Sequence, residues 1–205
     1  RGTYCFFVAC DILPDAAAGR PVVASLKSLT AAGSEHTPET AVKASTTVKE
    51  GFHGTYTIGK GGDYASFKDA MDAVKGGVDG KVVFNVKTGE YNELVTIPEI
   101  PGASENNTVT VQSESGNYGD VKVYYDTYTE PSYSDDSMAK EYGVITVDGA
   151  DWVILRVLTV TTADVSFPAV VHLRNTSRHV TIDRCHVFAE MTTSYSEDIN
   201  LIDQY

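Results

Sequence analysis

The sequence predicts an all-β solenoid closed at its amino-terminal end by a single helix, and three observations carry that expectation. Apolar runs of only four to six residues recur beyond residue 80, with Gly, Asn and Pro between them. A repeat of 26 to 27 residues relates the later runs to one another. Beyond residue 54, only the stretch from Asp63 to Lys75 places a full set of apolar residues at helical spacing. Composition agrees with this reading. A chain of 205 residues with 42% apolar residues can fill one core, which excludes a disordered chain and a stapled mini-protein. Seventeen Gly, one Trp and many Val, Thr and Tyr residues favour short strands over helical bundles.

Residues 1–53 are expected to be an export and linker segment with little structure of its own. The opening Tyr4-Cys5-Phe6-Phe7-Val8-Ala9-Cys10 has the form of the end of a bacterial lipoprotein signal, an apolar run closing on a small residue and a Cys. On that reading Cys10 is lipidated and tethers the domain to a membrane, and upstream residues precede Arg1. The alternative is a buried strand with two reduced Cys. Three Cys give no disulfide framework and no CxxC or Cys/His metal spacing. Residues 11–50, rich in Ala, Ser and Thr, read mainly as linker, with Val22, Val23, Leu26 and Leu29 fitting one short helix.

From Gly54 the pattern sharpens. Thr55 to Ile58 alternates as a strand, Gly59-Lys60-Gly61-Gly62 breaks it, and Phe67, Ala70, Met71 and Val74 mark a helical face. Ser66 with Asp69 three residues later resembles a capping box, and Gly76-Gly77 ends the helix. Strands are then expected at Val82–Val86, Leu94–Ile97, Val109–Val111 and Val121–Tyr124.

A fixed repeat separates a solenoid from a sandwich. Residues 150–160 align without a gap on 177–187, so that Val153, Leu155, Leu158 and Val160 fall on Val180, Ile182, Cys185 and Val187. Upstream, Ile145 and Val147 fall on Val171 and Leu173 at an offset of 26, one residue being added at the turn. Outward positions then place Asp148 on Arg174, Asp151 on Arg178 and Arg156 on Asp183, three opposite-charge pairs that played no part in choosing the alignment. Cys185 reads as a small buried residue rather than a reactive thiol.

The segments Gly54–Gly59, Gly62-Asp63-Tyr64, Ala65-Ser66-Phe67, Val83–Val86, Gly89-Glu90-Tyr91-Asn92-Glu93 and Ile97–Ser104 resemble the cap and first coils of right-handed parallel β-helix proteins of the pectin-lyase-like superfamily. Within it the likeness is to secreted or surface proteins of Bacteroidetes-type bacteria. The resemblance covers about residues 54–190. It implies that residues 54–205 are the capped amino-terminal part of a parallel β-helix that continues past Tyr205. It does not select a function, because that superfamily spans lyases, hydrolases, esterases and adhesins.

Function has to come from a site. A glycosidase needs paired carboxylates. By the resemblance, a lyase would need acids for Ca²⁺ and a base, and an esterase two Asp and an Arg. No acid stacks on another acid in the repeat, and the catalytic candidates reduce to Asp183 beside Arg156, with Arg184 directed to the other side. A structural ion pair is the competing reading of Asp183 and Arg156. His172, His179 and His186 read as exposed face residues rather than ligands. Residues 113–143 break the coil rhythm with six of the twelve tyrosines, seven acids and two bases. Tyr124, Tyr125, Tyr128 and Tyr133 there are candidate glycan contacts, since Tyr rings present flat apolar faces with a hydroxyl at the edge. Covering of the core edge is the competing reading. Glu130, Asp135 and Asp136 offer Ca²⁺ at most a weak site, as their spacing fits no known loop. No cofactor is expected.

Net charge is −12, all of it beyond residue 54, where 23 acids face 11 bases. That disfavours nucleic acid and anionic membrane surfaces and suits a neutral or cation-bridged ligand. No apolar run is long enough to span a membrane. Two function classes remain. One is a secreted or surface-anchored, non-catalytic domain that binds an extracellular or cell-surface glycan or acts as an adhesin or stalk. The other is a polysaccharide-active enzyme with its catalytic coils largely beyond Tyr205.

Overall fold

The computed structural model describes residues 19–31, 33–37, 42–47, 51–125, 143–162, 169–189 and 200–204. The chain divides into two units, Arg1–Glu50 and Gly51–Tyr205.

In the first unit, β1 (Pro21–Leu26) pairs antiparallel with β4 (Val42–Thr47), and β2 (Leu29–Ala31) with β3 (Ser34–His36). The expected helix over Val22 to Leu29 is therefore replaced by strands, and this part of the linker carries hairpins. Pro21 and the β-branched pair Val22-Val23 favour extended backbone, and Gly33 at φ 80° supplies the tight reversal between β2 and β3.

In the second unit the chain winds through three parallel sheets, in strict rotation from β6 onward. The first sheet holds β5 (Phe52–Ile58), β6 (Val78–Val86), β9 (Val109–Ser113), β12 (Val153–Arg156) and β15 (Thr181–Asp183). The second holds β7 (Gly89–Asn92), β10 (Val121–Tyr125), β13 (Thr159–Thr162) and β16 (His186–Ala189). The third holds β8 (Val95–Pro98), β11 (Gly143–Asp148), β14 (Ala169–Arg174) and β17 (Asn200–Gln204). All pairs within these sheets are parallel. Each coil visits the three sheets once, which is a parallel β-helix and bears out the solenoid expectation.

The repeat alignment holds residue by residue. Leu155 pairs with Ile182, Val160 with Val187, Ile145 with Val171 and Val147 with Leu173. Inward columns such as Phe84, Val111 and Leu155 are closed to solvent. Ile182, Val180, Cys185 and Val187 pack against the same core but are only half-buried, because β15 and β16 are the outermost strands of their sheets.

Helix α1 (Phe67–Val74) covers the other end. Phe67, Ala70, Met71 and Val74 are buried, and the Ser66 hydroxyl accepts from the Asp69 backbone N–H at 3.1 Å. The first coil reaches up to this helix: Glu93 Oε2 accepts from the backbone N–H of Phe67 at 3.1 Å. Gly102 permits the close return beneath the helix. At φ 82°, any Cβ there would meet the Val78 carbonyl oxygen.

His172 departs from the sequence reading. It is buried, not exposed, at 3% accessibility, as are its outward-facing neighbours Val144, Thr146 and Val170. The outer face of the third sheet is covered at these positions, so strand alternation alone gives the wrong exposure. His179 and His186 are exposed as expected.

Candidate binding face on the first and second sheets

Parallel register on the first sheet aligns Thr57, Asn85, Gln112, Arg156 and Asp183 in one outward column. Parallel stacking brings identical depths of successive coils side by side, so short polar groups bond along the column. Gln112 Nε2 donates to Asn85 Oδ1 at 3.0 Å, and Arg156 Nε donates to Asp183 Oδ2 at 2.8 Å. Arg184 does not point away. Its Nε and Nη2 reach the two Asp183 oxygens at 3.2 and 3.3 Å. The cause is local: Arg184 sits at φ 53°, and this left-handed bend returns a side chain that strand alternation would send elsewhere. Arg184 first, then Arg156, holds the Asp183 carboxyl below its ordinary range. Asp183 is thus an anchored carboxylate with both oxygens engaged. Asp148 and Arg174 form the other expected ion pair at 2.9 Å, whereas Asp151 Oδ1 accepts from the Arg178 backbone N–H at 2.7 Å instead of from its side chain.

Where the first sheet bends into the second, a cleft of about 500 Å³ opens between Gly116, Tyr118, Val157, Arg184, Cys185 and His186. Tyr118 is 49% exposed and stands edge-on to the His186 ring, with centroids 5.6 Å apart. His186 in turn stacks on Phe188 at 4.5 Å. Thr159, one coil before His186, fixes this group by donating its hydroxyl to the Tyr118 carbonyl at 2.9 Å. Cys185 lies at the cleft wall with its thiol pushed up by burial, matching the expectation of an unreactive packing residue.

Tyr124 lies on the outer face of the second sheet, with Lys122 Nζ 4.9 Å above its ring. Tyr125 is one step out of phase and packs against the core cluster, so it does not share that face. Tyr128, Tyr133, Glu130, Asp135, Asp136 and Cys10 lie outside the described residues. Among the described residues no three His, Cys, Asp or Glu side chains are grouped to hold a metal ion, and no helix is long and apolar enough to cross a membrane. The Tyr118–His186–Phe188 group was not legible as a site. Tyr118 and His186 come from different coils and meet only once the register of the second sheet is known.

No family model matches the chain, and no curated protein matches its sequence. Two crystal structures of the pectin methylesterase from Aspergillus niger, in deglycosylated and penultimately deglycosylated forms, superpose with a TM-score of 0.49 at 18% identity. The match covers 76% of this chain and 50% of theirs, so the chain spans about half the length of those structures. The fold assignment rests on the strand register itself.

Proposed function

We propose that this β-helix is a non-catalytic, neutral-glycan-binding domain that works outside the cell, at the outer surface or secreted. The observation that carries this reading is the cleft edged by Tyr118, His186 and Arg184. An exposed phenol ring offers a sugar its flat face, and the guanidinium and imidazole offer hydrogen bonds to ring hydroxyls. A volume of about 500 Å³ falls within the range of small-molecule sites. The net charge of −12 favours a neutral over an anionic polysaccharide. On this reading Tyr124 extends the aromatic surface, Tyr128 and Tyr133 are further candidate glycan contacts from sequence alone, Cys10 is the point of lipid attachment, and binding needs no metal ion.

The enzymatic alternative would place its chemistry on Asp183. Against it, both Asp183 oxygens are already held by Arg156 and Arg184, and no second carboxylate joins its column among the described residues.

Isothermal titration with neutral oligosaccharides tests the reading. Tyr118→Ala should weaken binding about fivefold or more while leaving the melting midpoint within a few degrees, and EDTA should have no effect. Turnover of a polysaccharide or its methyl ester that is lost in Asp183→Asn would overturn it in favour of the enzyme.

A further inference from the structure

The opposite end of the same strands carries a second set of groups with matching chemistry. Trp152 immediately precedes β12, and His179 stands at the equivalent position one coil later. Their rings are stacked face to face, with centroids 3.9 Å apart and planes 7° from parallel. Both residues occupy the left-handed region, Trp152 at φ 59° and His179 at φ 56°, and so do Asn175 at φ 53° and Thr176 at φ 62° in the same corner. Four non-glycine residues in a sparsely populated conformation, one of them β-branched, are concentrated at one edge of two adjacent coils. The residues directly before the stacked pair, Asp151 and Arg178, form part of the wall of a cleft of about 580 Å³. Glu99, Asp148, Asn175 and Thr176 contribute the rest of its polar lining, with Pro98 and Gly149 between them.

The cleft's polar groups divide into two classes. Asp148 is committed to structure, accepting from Arg174 Nη2 at 2.9 Å and from the Asn175 amide. Among the described residues, neither Glu99 nor the Arg178 guanidinium forms an ion pair, and Asp151 keeps one carboxylate oxygen beyond its bond to the Arg178 backbone. The stacked rings do not line the cleft, but they adjoin it through their chain neighbours Asp151 and Arg178, so that a carboxylate that accepts, a guanidinium that donates and an aromatic stack share one corner, a set that suits a hydroxyl-rich ring with one apolar face. They suit a metal ion poorly: Glu99, Asp148 and Asp151 all line the cleft, but among the described residues no three acidic, imidazole or thiol groups are placed to hold one ion.

We propose that this corner is a second saccharide subsite, in which the Trp152–His179 stack supports a sugar ring and Glu99, Asp151 and Arg178 bond its hydroxyls. The inference rests on the reading of the domain as a neutral-glycan binder. It adds that the ligand is an oligosaccharide held at two places. Trp152 and Val157 stand at the two ends of β12, five residues and roughly 16 Å apart along the strand. A chain of several sugar units lying across the outer face of the first sheet, over Gln112, Arg156 and Asp183, reaches both clefts.

Trp152 is the only tryptophan in the chain, so its fluorescence reports this corner alone. The full chain is titrated with neutral glucose-, xylose- and galactose-based oligosaccharides of two to six units, following tryptophan emission in parallel with calorimetry. The expected result is a saturable emission change, strongest for the longer ligands, that persists in Tyr118→Ala at reduced affinity. Arg178→Ala should weaken that response at least about fivefold without moving the melting midpoint beyond a few degrees. Calorimetric binding with an unmoved tryptophan signal would overturn the second subsite and leave the Tyr118 cleft standing. An emission response abolished in Tyr118→Ala for every ligand would show one site sensed at a distance and would also overturn it. Silence from both readouts across the whole panel would overturn the subsite and the glycan reading together.

Discussion

Leu155 and Ile182 provide a controlled test of the solenoid, because they are register partners that lose the same number of carbons on truncation to Ala. Leu155 is 1% exposed and sits in an inward column between Val111 and Ile182. Removing three buried carbons forfeits about 2.4 kcal/mol of transfer energy at about 0.8 kcal/mol per methylene. The neighbours on either side are pinned by ladder hydrogen bonds and cannot collapse into the space, so a cavity contribution adds to this. Leu155→Ala should therefore cost about 3 to 4 kcal/mol, inside the range of about 2 to 5 kcal/mol for such truncations. At roughly 2 to 4 °C per kcal/mol for a chain of this size, the melting midpoint should fall by roughly 6 to 16 °C. Ile182 is only half-buried. Ile182→Ala should cost about half as much, roughly 1 to 2 kcal/mol. Urea unfolding followed by far-ultraviolet circular dichroism measures both. Equal losses, or a Leu155→Ala cost below about 1 kcal/mol, would refute the assigned inward column.

Three further outcomes follow from the described contacts. Ser66→Ala should destabilise by about 0.5 to 2 kcal/mol, and Ser66→Asp should restore most of it, since either side chain can accept from the Asp69 N–H. Replacing Arg156 and Asp183 together should shift the melting midpoint by no more than a few degrees, because the pair is only part-buried and stays in contact with solvent; a larger loss would assign it more than a surface ladder role. Glu93 and Asp148 should act in opposite senses on a pH series. Burial raises the Glu93 carboxyl, so its contribution is full at acid pH and lost as pH rises through its folded value, and Glu93→Gln should flatten that decline. Arg174 lowers the Asp148 carboxyl, so its stabilisation is full above the ordinary carboxylate range and lost as pH falls, and Asp148→Asn should flatten the acid limb.

The coil register was legible because two independent signals shared one offset. Inward Val153, Leu155 and Val160 repeat as apolar residues, and outward Arg156 and Asp148 repeat as opposite charges. Neither signal depends on knowing what covers the outside of a sheet, and there the reading failed. His172 alternates outward yet is buried, since alternation reports direction and not exposure. Arg184 was misdirected for a different reason: period-two logic stops at a left-handed residue, and nothing in the types Asp183-Arg184-Cys185 marks the bend. In the first unit, Val22, Val23, Leu26 and Leu29 fit a helical stripe and a strand nearly equally, and only pairing with Val42–Thr47 decides between them. The clefts were the least legible feature. His179 was already aligned on Trp152, but an alignment carries no distance, and ring stacking needed the corner geometry to be seen.

That corner geometry explains why both candidate clefts lie at bends and not on flat sheet. Val157 at φ 54° and Arg184 at φ 53° turn the first sheet into the second on successive coils, as Trp152 and His179 do where the third turns into the first. A left-handed residue swings its side chain out of the alternating pattern, so a corner position need not fill the core, as exposed His179 and Arg184 show, although Val157 remains buried. On the strands themselves an outward residue meets its register partner about 4.8 Å away on each side, and its polar groups are satisfied there, as with Gln112 and Asn85. At the corners the chain brings Tyr118 and Arg184 beside His186, the first residue of β16, and sets Arg178 next to the stacked Trp152 and His179, without breaking a ladder. On the proposed reading, sequence change at these corners alters what the domain binds while the inward columns keep the same coil, which is why a shared β-helix says so little about ligand.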